Sequence, residues 1–320
     1  MNAGCRQGLV ALLCLAVALG GDAGAASRTA GGVPSRTPAG GPFGDAVAEI
    51  QWLRVKGVLE DATVSGRDRV RCIGEYLAWY TGDNLRRERA QEIKGSLQEA
   101  FPQSGHAAGV VWLYSKPAGV WFSRTETTVG QFWECSHYGD CSTLHVSTTD
   151  TDCSWDQMGR HMDYPVNCVE WFGASDFCKW VGGRLPTEAE WYAEASDSGR
   201  RDYSWGNEEP HCDRTVWRRD LRNPAGCGRD SPWPVCSKPA GFSVSGLCDL
   251  SGNVSEWTSG WYEVDKYRAY LGGNWMRYLP SDMEVDTRAW WPPDGRSGQL
   301  GFRCVREPAC FGAGGSFVGD

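Results

Sequence analysis

The stretch Tyr164–Trp191, YPVNCVEWFGASDFCKWVGGRLPTEAEW, decides how the rest of the chain is read. Within it, Trp171–Gly183 places Phe172, Phe177, Trp180 and Val181 on one side of a helix. Gly182 and Gly183 end that helix in the way a left-handed cap requires. A second helix starts almost at once. Thr187 and Glu190 form a T-x-x-E capping box, in which each side chain satisfies a backbone N–H at the helix start. Glu188 and Glu190 are therefore helix-start chemistry, not a catalytic carboxylate pair.

Outside this helix pair the chain turns to short strands and loops. VVWLY, Val110–Tyr114, is a strand upstream, and short strands and loops run from Ser196 to the end. The 320 residues include 41 Gly and 17 Trp. That combination predicts a loop-rich fold in which large aromatics supply the burial that regular elements do not. The net charge of −8 argues against a nucleic-acid partner, which needs a basic face.

The N-terminal third is different. Arg6, the apolar run Leu9–Leu19 and the small residues up to Ala26 read as an export signal over 1–26. The run is too short to span a membrane, and no later segment is long and apolar enough to do so. Residues 27–45 are rich in Gly, Pro, Ser and Thr and read as a flexible linker. Residues 46–101 read as three helices, Ala46–Glu60, Arg67–Tyr80 and Leu85–Phe101. This module carries no chemistry of its own and is expected to dock a partner or act as a spacer. The chain is thus expected to be periplasmic, secreted or associated with the cell envelope.

The cysteines agree with export. There are 14, of which Cys5 and Cys14 lie in the signal and the rest form an even set, as a disulfide framework requires. No C-x-x-C pair exists, so zinc is not expected.

Six segments occur in the order seen in the formylglycine-generating enzymes, or sulfatase-modifying factors: RTETTVGQF (Arg124–Phe132), Tyr164–Trp191, YSWGNEEP (Tyr203–Pro210), GLCDLSGNVSEWT (Gly246–Thr258), LGGNW (Leu271–Trp275) and GFRCVRE (Gly301–Glu307). The chain resembles that family over 110–307, leaving 308–320 as a tail. The resemblance implies an α+β fold related to C-type lectins, with little regular secondary structure. It also implies a disulfide between Cys178 and Cys304. Cys135 and Cys141 flank SHYGD and are expected to close a small loop.

The resemblance further implies a structural calcium loop, with Asp249 and Glu256 as carboxylate ligands and Gly252 and Val254 contributing main-chain carbonyls. Hard oxygens are what calcium takes. The family's copper site is another matter. Two cysteines that follow the G-G-S-W element bind copper there, and their positions fall on Arg277 and Asp282 here. Cu(I) needs soft ligands, so copper is not expected. Iron is not expected either, because it needs two His and a carboxylate, and His106, His137, His145, His161 and His211 all lie outside the C-terminal third.

What remains around those positions is aromatic and charged: Asn274, Trp275, Arg277, Tyr278, Asp282, Arg288, Trp290 and Trp291. Rigid aromatics and Arg recur in recognition surfaces. The expected function is a non-catalytic binding or accessory module for a peptide, protein or glycan. The alternatives are an oxygen-dependent oxidoreductase of the wider family that uses other ligands, and a structural envelope protein.

Overall fold

The chain divides into two units, Met1–Ser104 with Pro308–Asp320 and Gly105–Glu307. The computed structural model describes residues 52–53, 55–59, 66–79, 84–100, 108–138, 141–146, 152–218 and 227–308. The expected signal, the linker and the tail beyond Pro308 lie outside these residues. In the first unit, residues 52–53 and 55–59 are helical, followed by α1 (Gly66–Trp79) and α2 (Asn84–Ala100). Ile73, Tyr76 and Leu77 of α1 form a buried stripe that packs with Trp52, Val55 and Ala90. Cys72, in the same stripe, is disulfide-bonded.

The second unit is α+β, with short elements and long connections. A three-stranded sheet, in the order β1-β2-β7, contains β1 (Trp112–Ser115), β2 (Val120–Ser123) and β7 (Val305–Arg306). A four-stranded sheet, in the order β5-β4-β3-β6, contains β3 (Ser255–Glu263), β4 (Tyr267–Leu271), β5 (Arg288–Trp291) and β6 (Leu300–Gly301). Only the β3–β6 pair is parallel among these pairings. Between the sheets in sequence lie α3 (Val129–His137), α4 (Trp171–Trp180) and α5 (Glu188–Ala195). Among the described residues, no helix is long and apolar enough to cross a membrane.

Local chemistry fixes the helix starts. Thr187 and Glu190 form the expected capping box on α5, and Thr128 with Gln131 forms another on α3. The inward face of α4 is Gly173, Ala174, Phe177 and Cys178. Phe172 was expected on that face, but it is 43% exposed. Small Gly173 and Ala174 let the helix approach the core closely, which turns Phe172 outward. Phe177 then meets Phe132 at 6.0 Å and Phe302 at 5.6 Å, so aromatic rings join α4, α3 and the C-terminal segment. Disulfides link Cys135–Cys141, Cys153–Cys168, Cys178–Cys304, Cys212–Cys227 and Cys236–Cys248.

Candidate functional site

Beyond β4 the chain makes the turns that hold Arg277 and Asp282. Asn274 and Trp275 were expected to face a ligand. They are 1% and 3% exposed. The Asn274 amide donates to Ser255 Oγ at 3.0 Å, and its carbonyl oxygen accepts from the Met276 N–H at 3.1 Å. The Trp275 indole donates to the Gly298 carbonyl at 2.9 Å. Both residues brace the loop from beneath, because a buried amide and a buried indole N–H must find partners. Met283, also buried, presses on Gly273, where a β-carbon would lie 2.6 Å from the Met283 sulfur. Asp282 caps this short turn by accepting the Leu279 N–H at 3.3 Å. Arg277 is half-buried and lies near Tyr270; burial raises the Tyr270 phenol pKa and the Arg277 charge opposes the rise. Tyr278 is exposed.

The sheet divides the remaining candidates. In the β4–β5 register, Leu271 faces Arg288, Tyr270 faces Ala289, Ala269 faces Trp290 and Arg268 faces Trp291. Side chains alternate along a strand. Arg288 and Trp290 therefore lie on one face and Trp291 on the other. On the first face Arg288 pairs with Glu188 and lies 4.3 Å from the Tyr262 ring, and Trp290 packs on Tyr267 at 4.1 Å. The second face carries Tyr270, the neighbour of Arg277. There the Arg268 guanidinium is sandwiched between Trp171 at 3.8 Å and Trp261 at 3.5 Å. Trp291 covers the following turn, where a β-carbon on Gly295 would lie 2.5 Å from its indole nitrogen. The surface next to Arg277 is thus Tyr270, Arg268, Trp171, Trp261 and Trp291. Trp171, Trp261, Arg268 and Tyr270 were not among the sequence candidates, because only strand pairing brings them there.

On the opposite face of the sheet, where Glu256 pairs with Leu271, lies a buried acidic centre. Glu126, Asp249 and Glu256 are all buried, together with Arg303. Arg303 holds Glu256 by a fork, Nε to Oε2 at 2.7 Å and Nη2 to Oε1 at 2.6 Å, and the Trp191 indole donates to Oε2 at 2.7 Å. Glu126 accepts from the Asn253 amide at 2.6 Å and the Val254 N–H at 3.0 Å. Asp249 accepts the Cys236 N–H at 2.7 Å on one oxygen, and its backbone is left-handed at φ 61°. Three carboxylates face one guanidinium. Burial, then neighbouring negative charge, raises the Glu126 pKa well above the usual range. Burial pushes Asp249 up to about 6, against the Cys236 hydrogen bond and Arg303.

A divalent cation meets a mixed donor set here. Asp249 fits, because one oxygen has no hydrogen-bond donor among the described residues and the centre carries excess negative charge. Glu256 fits less well, since both its oxygens already accept from Arg303. For copper the residues do not fit. Every described cysteine is disulfide-bonded, and Arg277 and Asp282 offer no thiolate. For iron they do not fit either. The one cluster of potential ligands among the described residues is Cys236, Cys248 and Asp249, whose two cysteines are bonded to each other. His106 lies outside the described residues.

The raised carboxylates predict a pH dependence. A carboxylate with a raised folded-state pKa contributes stability that is fully present below its unfolded pKa and is lost as pH rises through the folded value. For Asp249 that window runs from about pH 4 to just above its folded value of about 6. With chelator present, the advantage of the native chain over Asp249→Asn should therefore fall between pH 4 and pH 7, by on the order of 3 kcal/mol. Urea denaturation of both proteins at the two pH values measures it. A difference independent of pH would contradict the buried-charge account.

The comparisons with known proteins bear on this geometry. The family described as the sulfatase-modifying factor enzyme 1-like domain matches residues 114–308. A formylglycine-generating enzyme of Mus musculus is 32% identical over 277 residues, 75% of this chain and 68% of that protein. A formylglycine-generating enzyme of Streptomyces coelicolor is 34% identical over 170 residues, 45% of this chain and 53% of the relative. A Bos taurus protein named inactive C-alpha-formylglycine-generating enzyme 2 is 33% identical over 154 residues, 45% of this chain and 50% of the relative. Against the last two, the chain spans about half of the relative's length.

Proposed function

The chain belongs to the sulfatase-modifying factor enzyme 1-like family, and we propose that within it the protein is a binding or accessory member that does no oxidative chemistry. One observation carries the reading. The positions that the family resemblance assigns to the copper cysteines hold Arg277 and Asp282, and every described cysteine is tied up in a disulfide. A thiolate for Cu(I) is therefore missing both at the site and around it. The relatives named inactive lend support, since they show that the family includes members described that way.

The ligand, a peptide, protein or glycan, would lie over Arg277, Tyr270, Trp291 and the Trp171–Arg268–Trp261 stack. Stacked aromatics lose little entropy on binding, and Arg277 supplies directional donors. Calcium would be held by Asp249 with the main-chain carbonyls of Gly252 and Val254, and by Glu256 to the extent that Arg303 shares it. When bound it would neutralise the buried acids and order the loop that supports Trp275. The protein would be exported, and its helical unit would dock a partner.

The second reading, an oxygen-dependent oxidoreductase, is favoured by the relatives named formylglycine-generating enzyme. Mass spectrometry separates the two. Purified protein incubated with a Cys-containing sulfatase peptide, copper and oxygen should leave the peptide mass unchanged. Conversion to the lighter formylglycine product would overturn the binding reading. Calcium has its own readout, because an ion that binds only the native state raises the melting temperature. At neutral pH, calcium should stabilise the native chain and leave Asp249→Asn unmoved. Equal melting temperatures with calcium and with chelator would remove the calcium site.

A further inference from the structure

A cavity of about 480 Å³ shares no lining residue with the surface around Arg277. The β1–β2 hairpin contributes Tyr114 and Lys116, the turn after α5 contributes Asp197, Ser198 and Arg200, and Ser245 closes it from a third segment. Its volume lies within the usual range of small-molecule sites.

The donors and acceptors in its wall are fixed by what lies behind them. The Glu194 side chain is 0% exposed, and its two oxygens accept from the hydroxyls of Ser243 and Ser245, the latter at 2.8 Å. A serine hydroxyl has one proton. Ser245 gives its proton to Glu194, so towards the cavity it can only accept, and a ligand must bring it a donor such as a hydroxyl. Asp197 and Arg200 satisfy each other, with Nε to Oδ2 at 3.0 Å, so that pair adds no net charge. Lys116 differs. Among the described residues it has no hydrogen-bond or ion-pair partner, and its three N–H donors are available to an anion. The Ser198 hydroxyl can donate or accept, and the Tyr114 ring gives the cavity an apolar wall.

We propose that this cavity binds a small hydroxylated carboxylic acid of the uronic-sugar class. The carboxylate meets Lys116, ring hydroxyls meet Ser245 and Ser198, and the C–H face of the sugar lies on Tyr114. A neutral sugar forgoes the charge-assisted contact with Lys116, and an apolar acid brings Ser245 no donor. The cavity therefore selects for both features in one molecule.

Saturation-transfer NMR and titration calorimetry on the full chain test the assignment, with D-glucuronate, a glucuronate-terminated disaccharide and D-glucose as probes. Glucuronate should bind about tenfold more tightly than glucose, as a charge-assisted contact predicts. Lys116→Glu should reduce that affinity by at least about tenfold and leave glucose unaffected. Lys116 is exposed on a hairpin, so the variant's melting temperature should match the native value. Lys116→Gln should give an intermediate loss, isolating the charge. Tighter binding of the disaccharide would assign the site to the end of a glycan chain, and equal binding would assign it to the free acid. Equal affinity for glucuronate and glucose, no binding of either, or unchanged glucuronate binding in Lys116→Glu would overturn the proposal.

Discussion

Replacing Arg303 by methionine is expected to destabilise the Gly105–Glu307 unit by about 3–5 kcal/mol, the cost of leaving a buried carboxylate without its cation. Arg303 is 0% exposed, and it does more than pair with Glu256. Its Nη2 also donates to the Cys248 carbonyl at 2.7 Å and its Nη1 to the Arg124 carbonyl at 3.3 Å. One side chain thus ties the segment after β2, the loop before β3 and the C-terminal segment together. Without it, the compensating charge left to Glu126, Asp249 and Glu256 is that of Lys238 acting on Asp249. The native advantage over Arg303→Met should shrink at pH 4, where the raised carboxylates are protonated in the folded state. Lysine should rescue only part of the loss, because a point charge cannot make the bidentate fork. The double variant Arg303→Met/Glu256→Met should be less destabilised than the sum of its singles, since removing both charges strands neither. Urea denaturation of the four proteins provides the cycle. An Arg303→Met protein within about 0.5 kcal/mol of native, the size of a surface change, would refute the account.

The same residue marks how far the sequence can be read. Arg303 is visible there only as one letter of a G-F-R-C motif, and Glu256 as one letter of another. That they meet follows from long-range packing across 47 positions, which no local pattern reports. Where the signal is local, it is legible. The Thr187–Glu190 box involves residues three apart and hydrogen bonds that form within one turn. Phe172 shows the limit of the local pattern, because helical spacing gave its side of α4 but not which stripe the small residues Gly173 and Ala174 would bury. The candidate surface divides in a related way. Asn274 and Trp275 are sequence neighbours of Arg277, yet they point into the core while Arg277 reaches Tyr270. RAWW is too short to reveal its alternation until its pairing with β4 is known, so Trp290 and Trp291 read as one cluster and stand on opposite faces. Lys116 and Ser245 gave no motif at all, since three separate segments build their cavity.

Removal of the Cys178–Cys304 bridge, as Cys178→Ala/Cys304→Ala, is expected to cost about 5 kcal/mol. The two sulfurs close a loop of sequence separation 126, and a cross-link restricts the unfolded chain more when the loop is long. Both cysteines are 0% exposed. Their bond joins α4 to the segment that carries Arg303, so it also holds the Arg303 backbone at the position from which the fork reaches Glu256. The Cys135–Cys141 bridge is the internal control, with a separation of 6 and an expected cost of about 2 kcal/mol on removal. The contrast tests the mechanism as well as the magnitude. If the two double variants lose equal stability, the unfolded-chain account fails and the stabilisation must come from native-state contacts. If the long bridge costs more by about the predicted margin, a further consequence follows. Combining Cys178→Ala/Cys304→Ala with Arg303→Met should then cost less than the sum, because the bridge and the fork anchor the same segment and the second loss finds it already released. Strict additivity would show that the C-terminal segment is held in place independently of its disulfide.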